Sequence, residues 1–323
     1  MIKKDFKIVF MGTPEFAVTI LDSILNSGYN VVSVVTTPDK PSGRGQKVSE
    51  SAVKQYALSK NLKILQPDKL KSDDFIESLK KLEADLFIVV AFRMLPEIIW
   101  SMPPKGTINL HASLLPDYRG AAPINWAIIK GEKETGVTTF FIEQEIDTGE
   151  ILEQSKLSIS EDETAGELHD KMMHLGSNLV INSIGKIISG NYESINQIEI
   201  LGNKPLKLAP KIFKNDCIIN WEQSMKRIHD FIRGLSPYPS AWCLFENINK
   251  KEIKSFKILK SKKTTIKVNN SSEIILNKTG FFIPCMDYYI EIIELQQEGK
   301  KKMNSKEFYA GNHNSLFKTC NKL

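Results

Sequence analysis

Short apolar runs alternate with helix-like segments through roughly the first 160 residues of the chain. The runs 31–35 and 86–91 are almost continuously apolar, which is typical of parallel strands covered on both faces. Regular alternation of strands and helices predicts an α/β fold with an open, doubly wound, mostly parallel sheet. Strands are predicted at 7–11, 31–36, 63–65, 86–92 and 107–111, and helices at 14–26, 50–60 and 73–82.

The end of this first region is predicted to be a strand pair followed by one long helix. The strands are 136–143 and 151–159, and the helix covers 163–189. Thr164 and Glu167 have the spacing of a capping box, which favours a helix beginning at that point.

A change of pattern follows. Segment 191–210 is polar and contains Gly202, Pro205 and Pro210, as expected of a linker. After a short helix predicted at 224–234, brief strand-like runs separated by Lys, Asn, Ser and Gly predict a small all-β barrel. These runs are 242–245, 256–259, 273–276 and 288–293, and the predicted divisions are a first domain at 1–190, a linker at 191–210 and a second domain at 211–323.

Composition agrees with two globular domains. The chain has 323 residues, of which 41% are hydrophobic and 25% charged, values that exclude a collagen-like or disordered protein. The apolar run at the N-terminus ends at Pro14 and Glu15, too early for a signal peptide or a membrane span. The four cysteines are widely spaced, which favours free thiols in a reducing cytoplasm. We therefore expect a cytoplasmic protein that does not enter a membrane.

The charge is unevenly distributed along the chain. Residues 1–203 contain 21 Lys and Arg against 27 Asp and Glu, a net charge of −6, whereas residues 204–323 contain 22 against 11, a net charge of +11. A basic second half suggests contact with a polyanion such as nucleic acid. The alternative is a lysine-rich surface that only keeps the protein in solution.

Several common chemistries are disfavoured by the motifs. The first predicted strand ends in MGTPEFA, which lacks the glycine spacing of a dinucleotide-binding turn, and the sequence has no phosphate-binding P-loop pattern. Nicotinamide chemistry and ATP hydrolysis are therefore disfavoured. His169 and His174 are five residues apart, without a carboxylate or cysteine to complete a metal site, so we expect no metal.

The strongest candidate for chemistry is the segment TINLHASLLPDYRGAA at 107–122. Asn109 and His111 alternate on one strand, so their side chains point to the same face at the carboxyl end of the sheet. An amide and an imidazole in this place could donate hydrogen bonds to a developing oxyanion, although a purely structural pair is the alternative. The small, stiff run Ser113, Leu114, Leu115 and Pro116 would suit the lining of a pocket for a flat ligand.

Two loops add candidates. A carboxylate at Asp147 beside His111 could keep the imidazole charged or accept a proton, but several glutamates lie nearby, and position alone favours a merely solvated charge. The loop PDKPSGRGQK at 38–47 places Arg44 between two glycines, which would allow its guanidinium to reach a phosphate. A plain surface loop or a lid is the alternative.

Asn109-Leu110-His111 together with the distant Asp147 resembles the folate-dependent formyltransferase family. The longer segments HASLLPDYRGAAP, TTPDKPSGRGQKV, APKIFKNDCIINW and EGKKKM…EFYAG resemble the branch of that family that acts on methionyl-tRNA. The resemblance extends from about Lys7 to Gly311, nearly the whole chain.

This resemblance implies a Rossmann-like catalytic domain, a linker and a C-terminal barrel of the OB type. It also implies 10-formyltetrahydrofolate as formyl donor and the initiator methionyl-tRNA as acceptor. Separately, we expect the chain to work as a monomer. The implied catalytic residues are Asn109, His111 and Asp147. The remaining implied contacts are Ser113, Leu114, Leu115 and Pro116 lining the folate site, Phe92, Arg93, Met94 and Leu95 around the pterin, and Arg44 and Lys47 at the acceptor end of the tRNA.

Two other functions remain open at this point. A folate-dependent formyltransferase for an amino sugar or another small amine would share the same three catalytic residues, but it would not need a basic second domain. A non-catalytic RNA-binding protein would not need the three residues at all.

Overall fold

The computed structural model describes residues 3–42, 47–269 and 273–320. The described residues form two compact units, each of which draws on several stretches of the chain. The first comprises Met1–Gly120, Thr135–Leu157 and His169–Ala209, and the second comprises Ala121–Glu134, Ser158–Leu168 and Pro210–Leu323. Most of the predicted linker, 191–210, thus belongs to the first unit. The assignment of catalysis to the first domain and of tRNA binding to the second stays a prediction.

The helices follow the predicted positions closely where apolar residues recur every three or four positions. Helix α1 buries Phe16, Ile20 and Ile24 on one face, which is the spacing that places side chains on the same side of a helix. The helices are α1 Glu15–Asn26, α2 Ala52–Ser59, α3 Asp73–Lys80, α4 Glu97–Trp100, α5 Pro123–Ile129, α6 Ala165–Ser189, α7 Gln197–Leu201, α8 Met225–Gly234 and α9 Ser305–Ala310.

Helix α6 begins as its sequence predicts. The backbone N–H of Thr164 donates to the Glu167 carboxylate at 2.8 Å, and the N–H of Glu167 donates to the Thr164 hydroxyl at 3.3 Å. This reciprocal pair confirms the capping box.

The first unit is built on a twisted α/β sheet with the strand order β5-β2-β1-β6-β7-β8-β9. Pairing is parallel from β5 through β7, and β8 joins β7 in the antiparallel sense. This topology confirms the Rossmann-like, mostly parallel sheet. The strands are β1 Lys7–Gly12, β2 Asn30–Val35, β3 Lys40–Ser42, β4 Lys47–Ser49, β5 Ile64–Leu65, β6 Leu86–Val90, β7 Thr107–His111, β8 Glu134–Phe141 and β9 Ile151–Ser158.

Burial explains why the central strands lack alternation. All five residues of β6 are buried, because helices cover both faces of a parallel sheet. Strands β3 and β4 form a separate two-stranded hairpin that the hydrophobic pattern did not predict.

The second unit contains a curled antiparallel sheet with the order β12-β13-β14-β11-β10-β16, and β15 pairs with β14. This arrangement confirms the predicted C-terminal β-barrel type. Its core is rich in phenylalanine, with Phe245 in ring contact with Phe256 and Phe281. The strands are β10 Ala241–Asn247, β11 Glu252–Lys267, β12 Ile275–Asn277, β13 Gly280–Pro284, β14 Tyr288–Gln297, β15 Met303–Asn304 and β16 Phe317–Cys320.

Strand β11 is much longer than predicted. Only 256–259 had a clear strand pattern, because register shifts between Ile258 and Ser261 interrupt the alternation of buried and exposed side chains. Strand β13 and helix α9 were also missed. Across the described residues, no helix is long and apolar enough to cross a membrane.

Candidate active site

The candidate site begins at the carboxyl end of β7, between β6 and β8. Asn109 pairs with Val89 of β6 and Phe140 of β8, and His111 pairs with Thr138. The two side chains therefore share one face of the sheet, as predicted. The side-chain oxygen Oδ1 of Asn109 is buried and has no hydrogen-bond partner among the described residues. An unpaired buried acceptor is costly, so this atom is one that a bound donor would satisfy.

His111 is buried, and each of its ring nitrogens faces an oxygen. Nε2 lies 2.9 Å from the carbonyl oxygen of Tyr118, and Nδ1 lies 3.8 Å from Oδ2 of Asp147. A carbonyl only accepts, so Nε2 carries a proton in both the neutral and the charged ring. Protonation at Nδ1 would therefore give an imidazolium facing a carboxylate, a favourable pair at this separation.

Asp147 reaches this position from the loop between β8 and β9. Its backbone is in the left-handed region with φ of 57°, and its side chain is only 11% exposed. Oδ2 also accepts a hydrogen bond from the backbone N–H of Gly120 at 2.9 Å. The carboxylate is thus held between a backbone donor and the imidazole, rather than being a solvated surface charge.

The segment 118–120 supplies backbone groups to both members of this pair. Tyr118 and Gly120 have φ of 63° and 123°, so the chain turns sharply here. A Cβ atom at position 120 would lie 2.5 Å from the carbonyl oxygen of Ala209, a contact that only glycine avoids. Segment 207–209 runs beside it. The Tyr118 N–H donates to the Lys207 carbonyl, and the Ala209 N–H donates to the Arg119 carbonyl.

Two residues of the site, Arg119 and Gln197, were not predicted. The Arg119 guanidinium donates through Nε and Nη2 to Oε1 of Gln197, at 3.0 and 2.7 Å. Burial lowers the pKa of Arg119, and the carboxylates of Asp147 and Glu145 offset part of that effect. A glutamine inside a polar segment gives no sequence signal for such a role.

The predicted folate-lining run 113–116 is mostly buried. The Ser113 hydroxyl donates to the Asp117 carbonyl at 2.6 Å, and the Thr138 hydroxyl donates to the Ser113 carbonyl at 2.6 Å. Leu115 is 1% exposed, whereas Leu114 is half-buried. These bonds fix the loop that follows His111, and the contact of this run with a ligand stays a prediction.

The loop 92–95 after β6 combines fixed and exposed residues. The Arg93 guanidinium donates to the carbonyl oxygens of Pro67 and Asp68, at 2.7 and 3.1 Å. Leu95 is buried, but Met94 is 73% exposed. The backbone is therefore held in place while one apolar side chain remains free to meet a ligand, which is compatible with the predicted pterin site.

Of the two residues predicted to contact tRNA, the structure describes one. Arg44 lies outside the described residues, and Lys47 begins β4, which pairs with β3. No group of three or more His, Cys, Asp or Glu residues that could hold a metal occurs in the described part of the chain.

Comparison with known proteins gives the same answer for both parts of the chain. Residues 6–184 match the family model described as formyl transferase, and residues 211–313 match the one described as formyl transferase, C-terminal domain. A methionyl-tRNA formyltransferase of Bacteroides fragilis is 50% identical over 316 residues, covering 97% of each chain. One of Flavobacterium johnsoniae is 50% identical over 94% of this chain and 96% of the relative.

Solved structures agree on the fold. A sugar 3N-formyl transferase, crystallised in the presence of dTDP and 5-N-formyl-THF, has a TM-score of 0.64 and 24% sequence identity, covering 92% of this chain and 99% of that one. Identity at this level supports the architecture alone, whereas the family rests on the two matched domains and the relatives at 50% identity. The chain therefore belongs to the formyl transferase family, and within it to the methionyl-tRNA formyltransferases.

Proposed function

We propose that this chain transfers the formyl group of 10-formyltetrahydrofolate to the α-amino group of the initiator methionyl-tRNA. The observation that carries the proposal is the buried pair His111 and Asp147 beside the unpartnered Oδ1 of Asn109. Near-full-length identity of 50% to methionyl-tRNA formyltransferases supports the choice of acceptor over an amino sugar. The donor supplies an activated formyl carbon, and the residues of this chain position the groups around it.

The acceptor needs no protein nucleophile. An α-amino group titrates near pH 8, so a substantial fraction is neutral and nucleophilic at physiological pH. The amine nitrogen bonds to the formyl carbon, the bond from that carbon to the donor nitrogen breaks, and one proton passes from the amine, by way of a carboxylate or water, to the departing donor nitrogen. The protein must therefore align the two groups, stabilise the oxyanion and move one proton.

Asn109 and His111 are the proposed oxyanion donors. In the folded chain Nε2 of His111 is already engaged by Tyr118, which leaves a proton on Nδ1 as the donor available to substrate. The 3.8 Å gap to Asp147 is longer than a hydrogen bond, so a proton on Nδ1 is not bonded to that carboxylate and is available to an oxyanion. The amide nitrogen of Asn109 supplies the second donor, and its Oδ1 accepts from the incoming amine.

Asp147 is the proposed acceptor of the amine proton. Its carboxylate lies 3.8 Å from Nδ1 of His111, where it would face the imidazolium, and it receives the amine proton either directly or through a water molecule. The residues proposed to hold the donor are Ser113, Leu114, Leu115 and Pro116, together with the backbone of 92–95.

The second unit is the proposed docking surface for tRNA. Lys257, Lys260 and Lys262 are exposed along β11, in the part of the chain that carries a net charge of +11. Spread lysines of this kind contact phosphates without reading bases. Arg44 and Lys47 are proposed to reach the acceptor end. We also propose that the chain acts as a monomer, because one chain provides all three catalytic residues. The four free cysteines favour a reducing compartment, and we propose the cytoplasm.

The direct test mixes the purified protein with formyl donor and charged initiator tRNA and measures N-formylmethionine after hydrolysis of the ester. Elongator methionyl-tRNA and free amino sugars are parallel acceptors. Formylation of the initiator alone supports the proposal. Equal formylation of an amino sugar would favour the small-amine function, and binding of tRNA without any formylation would favour the non-catalytic one.

A further inference from the structure

Gln197 is the first residue of α7, and its surroundings differ from those of its neighbours. It is 1% exposed, whereas Asn196 and Ile198 on either side are exposed. A neutral amide buried to this extent needs its hydrogen bonds satisfied, since an unpaired one would cost about 1–3 kcal/mol. What satisfies Gln197 is therefore informative.

The amide makes four hydrogen bonds, two through each end. Nε2 donates to the backbone carbonyls of Asp147 at 3.0 Å and Gly149 at 2.7 Å. Oε1 accepts from both Nε and Nη2 of Arg119. A guanidinium only donates and a carbonyl only accepts, so the orientation of the amide is fixed by its partners. A glutamate would lack the donors, and a shorter asparagine would not span the gap.

These four bonds join the two segments that position the catalytic pair. One segment is the loop 147–149, in which Asp147 adopts its left-handed backbone. The other is 118–120, whose Tyr118 carbonyl accepts from His111 and whose Gly120 N–H donates to the Asp147 carboxylate. Gln197 and Arg119 thus set the distance between segment 118–120, which contacts His111, and loop 147–149, which carries Asp147.

We propose that Gln197 is a positioning residue for formyl transfer, which fixes the Asp147 carboxylate relative to His111 by tying the 147–149 loop to Arg119. This inference rests on the catalytic role proposed above for Asp147. The hydrogen bonds of the Gln197 amide go to Arg119 and to the backbone of the loop, so its proposed effect on the reaction passes through the loop. The predicted linker therefore contains part of the support of the active site.

The test compares three full-length variants. Gln197→Leu keeps the volume but removes all four bonds, and Gln197→Glu keeps the acceptor for Arg119 while placing an oxygen against two carbonyls. Asn196→Ala is the matched control, because Asn196 only caps the same helix by accepting from the Ile198 N–H. For each variant we would measure kcat, KM for methionyl-tRNA and for the donor, the pH profile of kcat and the thermal unfolding transition.

A displaced carboxylate should slow the chemical step. We expect kcat of Gln197→Leu and Gln197→Glu to fall about 10- to 100-fold with KM changed by less than about twofold, since misplacement of a catalytic group by about 1 Å has effects of this size. The pH profile of kcat should change shape, because the His111–Asp147 pair controls proton transfer. Asn196→Ala should retain the kcat and pH profile of the unchanged protein. A loss of thermal stability with an unaltered pH profile and normal kcat would overturn the proposal.

A double variant separates this inference from the proposed function. If Gln197 acts through Asp147, adding Gln197→Leu to Asp147→Asn should lower kcat by no more than about twofold further, as expected of residues that work as a unit. An additive loss would refute the positioning role while leaving formyl transfer intact. Full activity of Asp147→Asn itself would instead refute the proposed role of Asp147.

Discussion

Nδ1 of His111 and Oδ2 of Asp147 lie 3.8 Å apart, in side chains that are 8% and 11% exposed. His111 is the last residue of β7 and Asp147 lies on the loop between β8 and β9, and each is also held by a backbone group of the same short segment, 118–120. This shared support makes the separation of imidazole and carboxylate a property of the fold. The proposed chemistry depends on that separation.

Replacing Asp147 should therefore affect turnover far more than binding. We expect Asp147→Asn to lower kcat about 10²- to 10⁴-fold, the range of a lost general base, with little change in KM for methionyl-tRNA. Steady-state formylation kinetics provide the measurement. Glu143→Gln is the matched control, because Glu143 is an exposed carboxylate on the same loop and should be neutral. Near-normal kcat in Asp147→Asn would contradict the assignment.

The sequence was sufficient to place the members of the site that lie on regular structure. Asn109 and His111 alternate on β7, and alternation on a strand determines the shared face without any knowledge of the fold. Asp147 was harder to predict from its position, because several glutamates lie near it in the sequence, and the resemblance singled it out. Its burial and its hydrogen bond from Gly120 depend on how two loops fold together, which the local sequence does not reveal.

Gln197 could not have been predicted, because its partners are assembled by tertiary structure. Two carbonyls of a distant loop and a guanidinium from another segment must converge before a buried amide is favourable there. The surrounding polarity indicated a solvated linker instead. A similar limit applied to β11, where a register shift hid most of a strand from the period-two pattern.

Gly120 should be intolerant of any side chain. Its φ of 123° is unfavourable for other residues, and an added Cβ would lie 2.5 Å from the Ala209 carbonyl oxygen. We expect Gly120→Ala to destabilise the protein by about 1–3 kcal/mol through backbone strain alone, and by more through the contact. It should also lower kcat, since the Gly120 N–H supports Asp147.

Gly190→Ala isolates the effect of backbone conformation. Gly190 has φ of 70° but nothing within 4 Å of an added Cβ. Gly190→Ala should therefore lower the free energy of unfolding by about 1–2 kcal/mol without a change in kcat. Urea denaturation provides both free energies of unfolding. Equal costs at the two glycines would show that the contact with Ala209 is unimportant.

Acidification should destabilise the protein through His229. This histidine of α8 is 2% exposed, and burial lowers its pKa, an effect that Asp162 only partly offsets while Arg233 and Lys263 reinforce it. The unfolded chain then binds a proton more readily than the folded one, so the free energy of unfolding falls as the pH drops below about 6.5, the ordinary histidine value. Above that pH the contribution is fully retained.

His229→Gln should reduce this dependence. The variant should show a shallower decline in the free energy of unfolding between pH 7.5 and pH 5.5, values chosen to bracket the ordinary histidine pKa of about 6.5. Denaturation curves at fixed salt give the comparison. His313→Gln, which replaces an exposed histidine of the same unit, should keep the decline seen in the unchanged protein. Identical slopes in all three proteins would exclude His229 as the source.

The lysines of β11 should determine the salt dependence of tRNA binding. Each phosphate contact releases counterions and contributes about 0.7–0.9 to the slope of log affinity against log salt. The combined substitution of Lys257, Lys260 and Lys262 by alanine should therefore reduce that slope by about two to three, and weaken binding most at low salt. Substituting the exposed Lys69, Lys80 and Lys105 of the first unit removes the same charge and should leave the slope unchanged. Filter binding across a salt series distinguishes the cases, and equal slopes for the two triple variants would show that net charge, not this strand, attracts the tRNA.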